Sequence, residues 1–560
     1  VQKHGKKYDK QITGGGKPMQ LSFFGAAQMV TGSNYLLSTK NHNIVIDCGM
    51  FQGNQETEKL NYKEFPYDPA SIDILILTHA HIDHSGRIPK MVKEGFRGKI
   101  ISTKATYDLC GVMLLDSAKI QEYDAEWENK KRKRRGEPSI EPLYTMEDAE
   151  HSLKYFEPHL YEQKIDINGE ISLRFKDAGH ILGSSILELW VTEEERTTKL
   201  VFSGDLGMPG RPIIRDPQYI DEADYLVIES TYGDKDHPPM KESAEKLIRI
   251  IEETAKRGGT VLIPSFAVGR TQELIYELNR YYEYNDIKSH MQIPIYIDSP
   301  MALNATEVFQ NNAGSFDQET TDLILKGDNP FTFNNLNYVR TVEESMALNE
   351  ADFPKVIISA SGMATAGRIR HHLKHNLWNP KNSLVFVGYQ AEGSLGRILL
   401  DGVKKVKLLG EEIHVGLEIY DLEGFSAHAD RTFMLDWIDK IERKPKKVFI
   451  VHGERETAKA FSKQIEEKFG LKTIIPRLGN SYNIAIDAVE VEKAMTIEPE
   501  ILREDIAKEL QNVYEQFNSL MSRSNGLFDE ELLENDYDLL KNRLLELQSQ
   551  LMDINILIGK

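Results

Sequence analysis

The stretch Thr78-His79-Ala80-His81-Ile82-Asp83-His84-Ser85-Gly86 constrains this chain more than any other. Three imidazoles and a carboxylate are crowded together directly after the apolar run Ile72–Leu77, which reads as a buried strand. Backbone leaving a strand can aim alternate side chains to one side, so His79 and His81 can grip one ion while Asp83 and His84 turn to another. Imidazole combined with carboxylate oxygen suits zinc, with manganese as second choice. The plain alternative, a polar loop with chance histidines, sits badly with a chain of 560 residues that has only 16 histidines. Cys48 and Cys110 are the only cysteines, so neither a thiolate zinc ribbon nor a disulfide framework is available, and a reducing, cytoplasmic setting is expected.

Further ligand-type residues follow predicted strands beside glycines: His180 in Gly179-His180-Ile181-Leu182-Gly183, Asp205 in Ser203-Gly204-Asp205, and Asp47 in Ile46-Asp47-Cys48-Gly49. Taken singly, each reads equally as a turn residue. Strand patterns at Met19–Phe24, Asn34–Ser38, Asn43–Asp47, Ile167–Phe175, Ser184–Val191 and Lys199–Ser203 surround a helical region over 104–163, interrupted near Gly136. From about 224 short apolar strands alternate with helices such as Ser243–Arg257 and Arg270–Glu283, the signature of βαβ units and a parallel sheet. Lys446–Val451 is a last strand, ending at His452. Over 501–560 leucines step by three and four in two acidic stretches, the spacing of paired helices and a candidate surface for a homodimer. Residues 1–18, polar and glycine-rich, read as a flexible leader, and no apolar run reaches the ~20 residues that span a bilayer, so no membrane partner is expected. The net charge of −19 runs against a phosphate binder, apart from the basic run Lys130–Arg135.

Together these motifs resemble the metallo-β-lactamase superfamily. The interval between Asp205 and His452 resembles the β-CASP cassette of its nucleases, through Glu229-Ser230-Thr231, Ile263-Pro264-Ser265-Phe266, Ser359-Ala360-Ser361-Gly362-Met363, Gly424-Phe425-Ser426-Ala427-His428 and Val451-His452-Gly453. The details are similar to the nuclease subunit of the cleavage and polyadenylation factor and its bacterial relatives. They are less like ribonuclease J, whose histidine-containing loop around a 5′-monophosphate is not found at 359–363. Archaeal relatives carry N-terminal KH domains, for which the chain is read as having no room.

The resemblance implies an α/β fold: an αββα sandwich (19–223 and a return segment 426–490), an inserted β-CASP α/β domain (224–425) and a C-terminal helical appendage (491–560). It implies two zinc ions, one held by His79, His81 and His180, the other by Asp83, His84 and His452, with Asp205 bridging and Asp47 orienting ligands. It further implies that His428 is the general acid, supported by Glu229, with Asp83 in the catalytic set. Ser359, Ser361, Gly362, Arg270, Arg368 and Arg397 are candidate contacts to an RNA backbone, each Arg standing equally well as the partner of a local carboxylate. The basic run Lys130–Arg135 reads as a solvated segment, with an RNA contact left open. The expected activity is zinc-dependent hydrolysis of single-stranded RNA, with endonuclease action favoured. A 5′–3′ exoribonuclease, a DNA nuclease, a small-molecule hydrolase of the same fold and a non-catalytic RNA-binding scaffold remain as alternatives.

Overall fold

The structure is a computed structural model. It describes residues 19–484 apart from 194, 285–292 and 392, the strand Val491–Glu492, and a few single positions between 511 and 518. The leader 1–18 and the paired helices expected over 501–560 lie outside the described residues, those single positions apart.

Two sheets face each other. The first has eight strands in the order Val491–Glu492, Ser481–Asn483, Gln20–Phe23, Tyr35–Ser38, Asn43–Ile46, Ile74–Ile76, Lys99–Thr103, Phe156–His159. The second has seven: Lys472–Ile474, Lys447–Val451, Tyr225–Glu229, Arg196–Phe202, Ser185–Glu193, Ile171–Asp177, Ile165–Asp166. Alternation along each strand divides its residues between two cores. Ile44, Ile46, Ile74 and Ile76 of the first sheet meet Phe175, Leu187, Leu200, Phe202 and Val227 of the second. Val45, Leu75 and Ile100 point the other way, under the helices Ile88–Lys93 and Lys104–Arg135. On the far side Val201, Leu226, Ile228 and Ile450 pack beneath Trp437 and Phe461, from the helices Arg431–Asp439 and Arg455–Phe469. Helix, sheet, sheet, helix is therefore the layer order, as an αββα sandwich requires.

A third sheet of six parallel strands runs Leu336–Tyr338, Ile295–Ile297, Lys355–Ser359, Thr260–Pro264, Ser383–Phe386, Glu418–Asp421. Val261 and Ile263 pack on one face with Leu247, Ile251 and Leu274, while Leu262 and Leu384 pack on the other with Ile369, Leu373 and Leu377. Helices on both faces explain why these strands read as unbroken apolar runs.

The structure departs from the sequence reading at two elements. Helix does not persist through 163: the long helix stops at Arg135, a short one covers Met146–Ser152, and Phe156–His159 is an edge strand parallel to Lys99–Thr103. Pro158, which lacks a donor, is tolerated there because the strand lies at the edge of its sheet. Tyr225–Glu229 resembles the later parallel strands in composition but belongs to the sandwich, between Arg196–Phe202 and Lys447–Val451 and parallel to both. Both free cysteines are buried. No helix among the described residues is long and apolar enough to cross a membrane.

Candidate metal centre

Parallel strands present their C-terminal ends on one edge, and that edge collects the chemistry. Asp47 follows Asn43–Ile46, and His79 follows its parallel neighbour Ile74–Ile76. Asp205, Glu229 and His452 end or follow three parallel neighbours of the second sheet. Ser185 fastens the two sheets at this edge, its N–H and hydroxyl both donating to the Thr78 carbonyl at 2.9 and 2.8 Å. Asp47 and His452 hold left-handed backbone, φ +59° and +47°, uncommon for residues with a Cβ and typical of sites where function dictates the turn. Gly207 lets two ligand loops touch, since a Cβ there would lie 1.6 Å from the Gly179 carbonyl oxygen, next to His180.

One cluster unites His79, His81, His180 and Asp205. His81 Nδ1 is 3.2 Å from both His79 Nε2 and His180 Nε2. Asp205 Oδ2 is 3.4 Å from His79 Nε2 and 3.6 Å from His180 Nε2. Donors held at roughly 2.0–2.1 Å around a tetrahedral ion stand about 3.3 Å apart, the spacing these atoms have. A second cluster unites Asp83, His84 and His452, with His452 Nε2 3.4 Å from Asp83 Oδ2. Asp205 joins the two: its Oδ1 is 3.3 Å from His84 Nε2 and 3.6 Å from His452 Nδ1.

Buried neighbours fix which ring nitrogen faces inward. Thr78 donates its hydroxyl proton to Asp47 and stands 3.1 Å from His79 Nδ1, so it can accept from that nitrogen and leave Nε2 with its lone pair. Asp47 accepts from His84 Nδ1 at 2.7 Å and from the Thr78 N–H at 2.8 Å, leaving His84 Nε2 turned to Asp205. Thr231 donates to Glu229 at 2.7 Å and accepts from His452 Nδ1 at 3.1 Å, leaving His452 Nε2 turned to Asp83. Such partners set tautomer and aim, and their loss typically lowers metal affinity by about 10–100-fold. Asp47→Asn should therefore weaken metal binding by about that factor without unfolding the sandwich, measured as metal retained against a competing chelator.

Electrostatics favour a cation. Burial pushes the His79 and His81 imidazoles down, to about 3 and about 4, and lowers His180 well below its ordinary value. Neutral rings are the form that binds metal. Burial alone would raise Asp205, yet the surrounding imidazoles of His452, His84 and His79 hold it well below the carboxylate range. Its Oδ1 lacks a hydrogen-bond partner despite being buried, as does His180 Nδ1. A fully buried carboxylate oxygen without a donor is costly unless a cation meets it. Donor chemistry, spacing and this orphaned oxygen together suit the cluster to holding a metal ion.

Beside it His428 Nδ1 lies 3.1 and 3.3 Å from the two oxygens of Glu229. Glu229 is fully buried and also accepts the Leu206 N–H at 2.6 Å. Burial works against charge on His428, but the Glu229 carboxylate prevails and lifts its pKa to about 9. The His428 loop is pinned to the Asp205 loop by a bridge to Gly207 and by the Ala429 N–H donating to the Leu206 carbonyl at 2.7 Å.

The candidate backbone contacts are less uniform. Ser359 is buried and spends its hydroxyl on the Asp298 carbonyl. Ser361 and Gly362 lie at the C-terminal edge of the six-stranded sheet, Gly362 against Phe266. Arg270 is buried and paired with Glu273, Arg368 pairs with Asp298 at 2.6 Å, and Arg397 pairs with Asp401 at 3.0 Å. Each arginine thus has the local carboxylate that sequence reading offered as the alternative. Sequence reading gave no role to Phe266, 36% exposed and 6.3 Å from the His81 ring, or to Thr231, although both stand inside quoted motifs. Their signal was position, directly after a strand end, rather than residue type. A cavity of about 410 Å³ lined by Arg211, Arg215, Tyr276, Arg280 and Glu319 touches none of the clustered ligands, so volume does not mark the site.

Comparison with known proteins agrees with this geometry. The metallo-beta-lactamase superfamily matches residues 29–265, the Beta-Casp domain 271–399, and the Zn-dependent metallo-hydrolase RNA specificity domain 412–476. Ribonuclease TTHA0252 of Thermus thermophilus is 39% identical over 82% of this chain and 99% of its own length. Transcription termination factor FttA of Methanocaldococcus jannaschii is 31% identical over 85% of this chain and 72% of its own. An RNase J-like protein of the same archaeon is 31% identical over 82% and 98%. With the fold, the ligand cluster and these relatives in agreement, the chain belongs to the β-CASP ribonuclease family of metal-dependent hydrolases within the metallo-β-lactamase superfamily.

Proposed function

We propose that the protein is a two-zinc ribonuclease that hydrolyses phosphodiester bonds within single-stranded RNA, in RNA processing or decay. The observation that carries this reading is the Asp205 carboxylate, one oxygen toward each ligand set, with the His428–Glu229 pair alongside. His79, His81 and His180 would hold one ion and Asp83, His84 and His452 the other, with Asp205 between them. Bound divalent cations there supply Lewis acidity toward a phosphodiester and lower the pKa of water toward ~7.

The chain's own groups do the rest. Glu229 fixes Nδ1 of His428 and stabilises the protonated ring, which leaves Nε2 to deliver a proton to the departing ribose oxygen. Phe266 offers a ring face to a base at the entrance. Strand ends of the sandwich and of the six-stranded sheet come together near Gly269, where Ile181 leaves no room for a Cβ. Contacts that close suit one strand better than a rigid duplex. The RNA specificity match and the relatives named ribonuclease support RNA over other phosphodiesters.

Circular and linear forms of one labelled RNA, given to the zinc-loaded protein, test the reading. Opening of the circle is expected. Decay of the linear form alone would make the enzyme an exonuclease. Thioester hydrolysis without cleavage of either RNA would overturn the proposal.

A further inference from the structure

The helix Lys104–Arg135 carries a surface that the metal centre does not use. Its first half is buried through Leu109, Met113, Leu114 and Ala118. Beyond Ala118 the chain exposes Ile120 at 43%, Tyr123 at 68% and Trp127 at 55%, and continues with the basic run Lys130–Arg135. At 100° per residue Ile120, Tyr123, Trp127, Lys130, Lys131 and Arg134 share one face, running about 21 Å along the axis. The opposite flank is occupied. Asn129 exchanges hydrogen bonds with Ile140, and Arg132 donates to the Pro138 carbonyl at 2.7 Å. Arg135 pairs with Glu128 and Glu137. Among the described residues no carboxylate pairs with Lys130, Lys133 or Arg134, whereas Lys131 lies 5.3 Å over the Trp127 ring and also 3.5 Å from Glu128.

Helix-end stability accounts for cations in the last turn, since they offset the macrodipole. It does not account for two large aromatics left in water one and two turns earlier. Rings interleaved with cations along one line are the elements of a single-strand platform, on which bases stack and phosphates are neutralised. The helix also touches the β-CASP domain, where the Asn312 amide donates to Asp108 at 2.9 Å. Burial raises the Asp124 carboxyl, beside Tyr123, and the charge of Arg370, in the β-CASP helix Ile369–Asn376, opposes that shift. Tyr62, 64% exposed, lies near enough to Asp124 for its charge to act on the phenol.

We infer that the Ile120–Arg134 face is a second RNA-binding surface, which takes single-stranded RNA leaving the metal centre and stacks its bases on Tyr123 and Trp127. The inference rests on the ribonuclease reading and says where the strand runs outside the metal centre. In a chain of net charge −19, a strip bearing unpaired cations is where a polyanion would settle.

The test uses the full chain, a Tyr123→Ser/Trp127→Ser variant and a Lys130→Gln/Lys131→Gln/Arg134→Gln variant. Anisotropy would report binding of phosphorothioate oligouridylates of about 3 and about 20 nucleotides, one shorter and one longer than the roughly 4–16 nucleotides of typical single-strand sites. Each variant should lose about tenfold or more in affinity for the long oligonucleotide, and less than about twofold for the short one. The triple variant should also show a salt slope shallower by about 2. Long-oligonucleotide affinity and slope unchanged in both variants, with circular dichroism and zinc content as for the parent, would overturn the inference. A shift from dimer to monomer on sedimentation, with RNA affinity intact, would make the face a contact between copies and overturn it too. A parent protein that neither binds nor cuts RNA defeats the ribonuclease reading itself, whereas one that cuts RNA while both variants bind normally defeats only this surface.

Discussion

Replacing His428 with alanine should lower RNA turnover by roughly 10²–10⁴-fold while the protein keeps its full complement of metal. The expectation comes from the direction of the ring. Nδ1 is committed to the Glu229 carboxylate, and the nearest Asp205 oxygen is 3.9 Å from that same nitrogen, farther than Asp205 stands from His79 or His180. Glu229 is in turn held by the Leu206 N–H and the Thr231 hydroxyl, so a rigid acceptor waits behind the ring. Single-turnover cleavage with metal analysis on the same sample checks both halves. Because Asp205, Glu229, His428 and His452 also fall close enough together to hold an ion, the result is informative. Loss of metal in the alanine variant would make His428 a ligand rather than a proton donor.

Asp205→Asn should be more severe: metal binding fails at both clusters, and activity falls by at least about 10³-fold, several kcal/mol of transition-state stabilisation. The amide retains the shape but removes the charge that offsets His84 and, through Oδ2, faces His79 and His180. His84, now raised well above its ordinary value by Asp205 and Asp47 against the pull of burial, would lose the larger of those supports. Metal content by mass spectrometry and the thermal transition with and without added zinc would show the effect. A variant that retained two ions and ordinary turnover would remove Asp205 from the centre of the site.

Much of this arrangement was legible in the residues. His79, His81, Asp83 and His84 announced themselves by density, and the apolar run before them fixed the strand that aims them. Asp47, His180 and Asp205 were ambiguous singly, because an Asp or His beside glycine is equally a turn; parallel strand order is what brings them together. Tyr225–Glu229 went to the wrong sheet for a related reason. A strand buried on both faces has the same composition in either sheet, and only its pairing with Lys447–Val451, far along the chain, decides the matter. Phe156–His159 was hidden because an edge strand is half solvated and need not alternate. The arginines could not be resolved from sequence, since whether a guanidinium faces phosphate or a neighbouring carboxylate depends on packing that no local pattern encodes.

The order in which strands enter the second sheet bears on synthesis. Tyr225–Glu229 acquires its outer neighbour only when Lys447–Val451 has left the ribosome, and His428 and His452 arrive in the same late segment. A nascent chain that has already presented His79, His81, His180 and Asp205 therefore lacks both His428 and His452 while the whole six-stranded sheet is being made. The edge where these groups meet is therefore complete only once residue 452 has been made.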